Sequence, residues 1–418
     1  MTTAQGEAVR ITSIASGGDG VGRLADGRAV FVPRTAPGDL VEVLDLDRKA
    51  RFARARPGRL IEPGPERVAP RCRHYDRDQC GGCQLQHLSA PGQRAIKRAV
   101  VGDALRRLAH LDAADPELEA PELEWGYRTK LTLAVRGGGR VIGLHKLGQP
   151  DRVFDLERCE IAAEELNALW AALRPIRRML PPNVERLVLR LARDGSRHLI
   201  VEAGPGPVWS GAGELRTVLV AAGQAITIWW RPEGGATRVV AGERDAYPAT
   251  AFEQVHPAMG DRVRRYALRV LDAARDQMVW DLYAGIGETT SALLAAGARV
   301  ESVEIDGRAV AAAGPAIGPG VRRHTGAVEA VVGRLPAPDL IIANPPRTGM
   351  EAAVVEAIRR VIPARLVYIS CDPATLARDL GRLLAPGTVR PLRLAGLRSF
   401  DLFPQTSHVE SVALLEAA

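Results

Sequence analysis

The sequence has no run of about eighteen apolar residues, which argues against a membrane-spanning helix. Its first residues, Met-Thr-Thr-Ala-Gln-Gly-Glu, lack the charged-then-apolar order of a signal peptide, so a cytoplasmic location is expected. Internal repeats and low-complexity tracts are absent. Cysteine is scarce, and its count of five is odd. In a reducing compartment such a set suggests metal binding or catalysis and not a disulfide framework. What remains, 46% apolar and 25% charged, is ordinary globular composition. A chain of 418 residues is too long for one core, so two to three domains are expected.

The cysteines divide four to one. Cys72, Cys80, Cys83 and Cys159 lie in the first half among basic residues, spaced Cys-x7-Cys-x2-Cys with a distant fourth. That donor set suits an iron–sulfur cluster or zinc equally, and it requires Cys159 to fold back onto the first three. Cys371 stands alone in Tyr-Ile-Ser-Cys-Asp-Pro, between an apolar run and a helix start. The net charge of +7 is uneven. Residues 48–107 hold 15 Lys and Arg against 5 Asp and Glu, an excess of ten, and the rest of the chain sums to −3. A basic segment on a near-neutral protein is the footprint of a polyanion-binding surface, against the blander reading of a solvated, arginine-rich face.

Residues 8–61 alternate short β-type runs (Val9–Ile14, Ala29–Val32, Leu40–Leu44) with Gly/Asp turns, predicting a small OB-like barrel. Pro57, Pro63, Pro65 and Pro70 mark a linker. Ser89-Ala-Pro-Gly opens a helix with Ile96, Val100, Leu105 and Leu108 near one face. Arg94, Lys97, Arg98, Arg106 and Arg107 are its phosphate-facing candidates. From about Trp125 to Ala251 the pattern is β-rich. From about Met278 it turns to strand–helix alternation, with buried-type strands at 278–283, 298–304, 339–343 and 365–370, the pattern of a doubly wound parallel sheet.

Asp281-Leu-Tyr-Ala-Gly-Ile-Gly follows the first of these strands, and Glu304 ends the next one, 23 residues after Asp281. Glycines at that turn let a ligand approach the sheet's carboxyl edge, and the acid can accept both hydroxyls of a ribose. The third glycine of a dinucleotide fingerprint is replaced by Thr290 and no lysine follows, so a nucleoside without phosphate fits, with S-adenosylmethionine the obvious candidate. Asn344-Pro-Pro-Arg closes another strand at the same edge, with carbonyls freed by the tandem prolines. Asp372 and Pro373 read as N-cap and first helical residue, putting the Cys371 thiol beside a helix N-terminus that should favour thiolate. Near the C-terminus His408 and Glu410 share one side of an incipient strand.

Together these segments resemble the iron–sulfur branch of the RNA uracil-C5 methyltransferases, which form 5-methyluridine in 23S ribosomal RNA. The resemblance covers nearly the whole chain. It rests on Cys80-Gly-Gly-Cys83-Gln-Leu-Gln-His, Tyr127-Arg-Thr-Lys, Phe252-Glu-Gln-Val-His, Tyr368-Ile-Ser-Cys-Asp-Pro-Ala-Thr-Leu-Ala-Arg-Asp and His408-Val-Glu410, in the family's order. It implies a multidomain chain: an OB-like TRAM β-barrel (1–65), a central β-rich iron–sulfur domain with the basic helix (66–255), and a Rossmann-like α/β methyltransferase domain (256–418). It implies Cys371 as nucleophile and Glu410 as general base. Gln254, Tyr283, Gly285, Glu288, Glu304 and Asn344 would bind S-adenosylmethionine, and Cys72, Cys80, Cys83 and Cys159 a [4Fe–4S] cluster. The partner would be RNA, with the target uridine unpaired or flipped, and the enzyme a monomer.

The chain departs from the family in five places. Seven residues separate Cys72 from Cys80 where the family usually has five. His256 and Glu288 stand where asparagines are usual, Ala327 where an acid is expected, and Asn344 in place of an aspartate. Transfer RNA as substrate, amino methylation at Asn-Pro-Pro, and a non-catalytic RNA-binding factor are the competing readings.

Overall fold

The computed structural model describes residues 6–206, 209–243, 253–313, 320–387 and 390–418. Phe252 and the first five residues lie outside these. Strands Glu7–Ile14, Gly20–Arg23, Ala29–Val32, Leu40–Arg48 and Phe52–Glu62 close into a barrel in the order first, second, third, fifth, fourth. Alternate residues point inward, so Val9, Ile11, Val30, Val32, Val41 and Val43 form its core. The fifth strand runs through Pro57, where a linker is predicted. Its inward residues are only Ala53 and Ala55, between the exposed Arg54 and Arg56, so no β-branched alternation marks it. Pro57 is tolerated opposite Val43, where the register shifts.

The helix Ala90–Leu108 begins at Ser89, whose Oγ accepts from the Gly92 amide at 3.1 Å. Its buried stripe differs from the predicted one. Gln93, Lys97, Val101 and Leu105 are covered, whereas Leu108 is exposed. The stripe is selected by the helix Pro373–Leu383 near the C-terminus, whose Leu376 and Leu380 share a core with Val101 and Leu105. The phosphate-facing set is corrected accordingly. Lys97 lies inside, 2.6 Å from Asp401. Arg94 pairs with Glu124, Arg98 donates to the Pro116 carbonyl, and Arg106 pairs with Asp103 and Asp115. These three fasten the next segment to the helix.

A seven-stranded sheet follows, ordered 238–241, 227–232, 197–203, 184–191, 130–136, 141–146, 149–155. It is antiparallel except where Arg197–Ala203 runs parallel to Thr227–Pro232. Its core extends into the cysteine segment, since Cys72, Cys80, Cys83 and Cys159 are buried with Leu131, Leu133 and Trp170.

The last sheet has eight strands, ordered 321–325, 299–304, 278–282, 340–343, 365–370, 410–417, 392–400, 117–119. The first five are parallel, and the four at 299–304, 278–282, 340–343 and 365–370 are largely buried, as their apolar runs predict, whereas Val321–Thr325 is a polar edge strand. Glu410–Ala417 enters antiparallel beside Arg365–Ser370. That reversal brings the start of one strand next to the carboxyl end of the other. The edge strand Glu117–Glu119 comes from the segment behind the basic helix and runs parallel to Leu392–Phe400.

Candidate active site

Cys371 follows directly on Arg365–Ser370 and precedes the helix Pro373–Leu383. The Asp372 carboxylate caps that helix, accepting from the amides of Ala374 (3.0 Å) and Thr375 (2.9 Å). Asp372 thus takes two of the helix's N-terminal amides, and the thiol is shifted up, not down as predicted. Burial, and next the Glu410 carboxylate, push the Cys371 thiol up to about 11, while the Arg347 guanidinium hydrogen-bonds it and pulls the other way.

Glu410 opens the neighbouring strand, paired with Phe400 on one side, while its successor Ser411 pairs with Ser370 on the other. Its side chain is 2% exposed and its Oε2 is buried without a hydrogen-bond partner. Burial pushes its carboxyl up to about 8, against a smaller downward pull from Arg347. A carboxyl with a free oxygen, titrating near neutrality and facing a thiol, is equipped to take up a proton. His408 lies before the strand, its ring edge-on to Phe403 at 5.9 Å and its Nε2 3.5 Å from Arg347. Burial and then Arg347 push it down to about 4, so it is neutral. Arg347 thus faces Cys371, Glu410 and His408. Sequence reasoning missed it, although its place straight after Asn344-Pro-Pro was the available signal.

Four of the expected cofactor residues, Tyr283, Gly285, Glu304 and Asn344, lie at the same carboxyl edge. Tyr283 (φ 63°) and Gly285 (φ 56°) adopt left-handed backbone in the turn after Met278–Leu282, and Gly287 (φ 83°) caps the helix Glu288–Ala295. The two Glu304 oxygens accept from the amides of Gly285 and Asp306, each at 2.8 Å. Asp281 accepts from the hydroxyls of Thr289 and Thr290 beneath the turn, and burial pushes it up to about 6. Asn344 is exposed at the end of Leu340–Ala343, its amide on the Leu282 carbonyl at 3.2 Å. Gln254 packs over Gly260, where a Cβ would come within 2.9 Å of its side chain. Glu288 departs from expectation. Its carboxylate pairs with Arg193, at 3.2 Å, and with Arg264. His256 is buried and stacked on Tyr127 at 4.9 Å.

The four remaining cysteines line one cavity of about 140 Å³, with Arg128 and Arg158 among its walls. Burial raises the pKa of all four thiols, that of Cys80 to about 12. Among the described residues no three His, Cys, Asp or Glu side chains are grouped closely enough to hold a metal ion. No described helix is long and apolar enough to cross a membrane.

A five-stranded barrel before a parallel sheet with a nucleoside-type turn and a thiol–carboxyl pair defines a nucleic-acid methyltransferase. Known proteins agree. Residues 5–57 match the TRAM domain, and residues 336–418 match the family described as tRNA (Uracil-5-)-methyltransferase. An uncharacterized RNA methyltransferase from Thermosynechococcus vestitus is 34% identical over 97% of each chain. The 23S rRNA (uracil(1939)-C(5))-methyltransferase RlmD of Salmonella typhimurium is 31% identical over 100% of this chain and 97% of its own. The crystal structure of Pyrococcus abyssi tRNA (uracil-54, C5)-methyltransferase in complex with S-adenosyl-L-homocysteine shares the fold. Its TM-score is 0.72 at 20% identity, over 98% of this chain and all of that one. This chain belongs to the RNA uracil-C5 methyltransferase family. It is an S-adenosylmethionine-dependent enzyme with an RNA substrate and an N-terminal TRAM domain.

Proposed function

We propose that the enzyme methylates C5 of a uridine in 23S ribosomal RNA, in the cytoplasm and as a monomer, through a covalent bond between Cys371 and C6. The observation that carries the chemistry is the pairing of the Cys371 thiol with a buried Glu410 carboxyl that has an oxygen to spare. Uracil C5 is a poor nucleophile until C6 is saturated, so a thiolate must add first. Arg347 favours that thiolate by its charge and hydrogen bond. Addition of the Cys371 sulfur to C6 moves the ring electrons to C5 and O4 as an enolate. S-adenosylmethionine, when bound, supplies the electrophilic methyl that C5 takes. Glu410 then accepts the C5 proton, the C5–H electrons re-form the C5–C6 double bond, and the Cys371 thiolate leaves. The target base must leave its stack, which costs least in an unpaired loop.

Gln254, Tyr283, Gly285, Glu304 and Asn344 are the proposed contacts to the cofactor. The left-handed turn and the acid at the next strand's end support that role. Glu288 is assigned to the turn's support through Arg193 and Arg264. The domains are taken as 1–65, 66–255 and 256–418, with the basic helix and Glu117–Glu119 docked on the third.

Cys72, Cys80, Cys83 and Cys159 are the proposed ligands of a [4Fe–4S] cluster. Four soft donors line one cavity, which supports that reading. When bound, a cluster supplies bonds that cross-link residues 72–83 to Cys159. Mapping 5-methyluridine in ribosomal and transfer RNA of a deletion strain tests the substrate. One 23S position should lose its methyl and regain it with the wild-type gene but not with Cys371→Ala. Loss confined to transfer RNA, or rescue by Cys371→Ala, would overturn the proposal.

A further inference from the structure

The loop 401–409 delivers Glu410 to the thiol, and it is fastened from outside the catalytic domain. Gln405 sits at its turn with φ 71°, a left-handed conformation that a side chain of this kind adopts only when its surroundings impose it. Two segments impose it. From the basic helix, Gln93 accepts from the Gln405 amide at 2.9 Å and donates to its side-chain oxygen at 3.0 Å. From the same helix, Lys97 bonds Asp401 at 2.6 Å and the Phe403 carbonyl at 3.0 Å. From the cysteine segment, the Leu85 amide donates to the Gln405 carbonyl at 3.0 Å, and the Gln84 side chain accepts from the Ser407 amide at 3.4 Å.

These last bonds lie one and two residues beyond Cys83, on backbone whose course the four-cysteine cavity sets. The barrel reaches the same point. A Cβ on Gly18 would meet the Gln84 side chain at 2.7 Å and Ser407 at 3.2 Å, and Arg34 of the barrel donates to the Cys80 carbonyl at 2.9 Å. Barrel, cysteine segment and basic helix therefore converge on the turn five residues before Glu410.

We propose that Gln84 and Gln93 are positioning residues for Glu410, clasping the Gln405 turn so that the cysteine segment and basic helix govern proton removal from C5. This rests on the proposed roles of Cys371 and Glu410, and it goes further by giving the cysteine segment a part in one particular step. A displacement of about 1 Å can cost about a hundredfold in a positioned step, so loosening the clasp should be felt there.

Proton removal separates from the earlier steps. RNA carrying 5-fluorouridine at the target traps the enzyme after thiol addition and methyl transfer, because fluorine cannot leave as a proton. Uridine RNA requires Glu410 to finish. The variants are Gln93→Leu, which keeps volume in the core, and Gln84→Ala, which removes the side-chain bonds to the Ser407 amide and the Gly81 carbonyl. Cys83→Ala tests the cysteine segment itself, and Glu410→Gln is the reference. The expected result is a split. Turnover on uridine RNA falls at least about tenfold, and covalent enzyme–uridine intermediate accumulates, while trapping by fluorinated RNA stays within about threefold of wild type. Unchanged turnover in both glutamine variants, or equal loss of turnover and trapping in both, would overturn the clasp. Failure of Glu410→Gln to show the split would instead overturn the assignment of the base. Release of tritium from uridine RNA labelled at C5, measured at several pH values, adds a readout that a general loss of folding does not move: the clasp variants should shift the pH at which proton removal reaches half its maximum.

Discussion

Replacing Glu410 with glutamine should stabilise the folded protein in alkaline solution while stopping turnover. The side chain is 2% exposed, one of its oxygens has no partner, and burial moves its titration from the ordinary 4.5 to about 8. A carboxyl whose folded pKa is raised binds its proton more tightly folded than unfolded. Its ionisation therefore works against the fold, beginning above pH 4.5 and complete above pH 8. At about 1.4 kcal/mol per factor of ten, the cost is about 1 kcal/mol at pH 5 and about 5 kcal/mol at pH 9. Glutamine keeps the shape without the charge. Melting curves of wild type and Glu410→Gln from pH 5 to pH 9 should diverge steadily as the pH rises, the variant being the more stable. Parallel curves, or a variant less stable at pH 9 than at pH 5 relative to wild type, would refute a buried, unpaired carboxylate.

The same titration predicts that single-turnover proton removal rises about tenfold between pH 7 and pH 9 and then levels, a dependence that Glu410→Asp should keep and Glu410→Gln abolish. Lys97→Met leaves the Asp401 carboxylate buried alone and should destabilise the protein by about 3–5 kcal/mol in denaturant titrations. Adding Asp401→Leu should recover most of that loss, because the pair is then removed together. Arg59, exposed on the barrel's fifth strand, and Arg51, exposed just before it, should contact phosphate. Replacing both with alanine should reduce the slope of log K against log salt for RNA binding by about 1–2, with little change in cofactor affinity.

The parallel sheet was legible because strands buried on both faces are written as unbroken apolar runs, and Cys371 and Glu410 were legible as a junction thiol and a strand-start acid. Residues whose role is set by a distant partner were not. Lys97 reads as a phosphate contact until the helix Pro373–Leu383 selects which stripe is covered. Glu288 reads as a cofactor contact until Arg193, 95 positions earlier in the chain, reaches it. The barrel's fifth strand hides because alanines fill its inner face and arginines its outer one. Strand Val321–Thr325 hides similarly, with Arg322, Arg323 and His324 in a strand at the sheet's edge. The thiol's raised pKa could not be foreseen, since it depends on burial and on Glu410 lying alongside.

The most direct test is peptide mapping by mass spectrometry of enzyme trapped on 5-fluorouridine RNA with S-adenosylmethionine. A methylated fluorouridine attached to the peptide carrying Cys371, and absent in Cys371→Ala, is the predicted result. Attachment at any of Cys72, Cys80, Cys83 or Cys159, or methyl transfer with no bonded species at all, would contradict a reaction that runs through this sulfur.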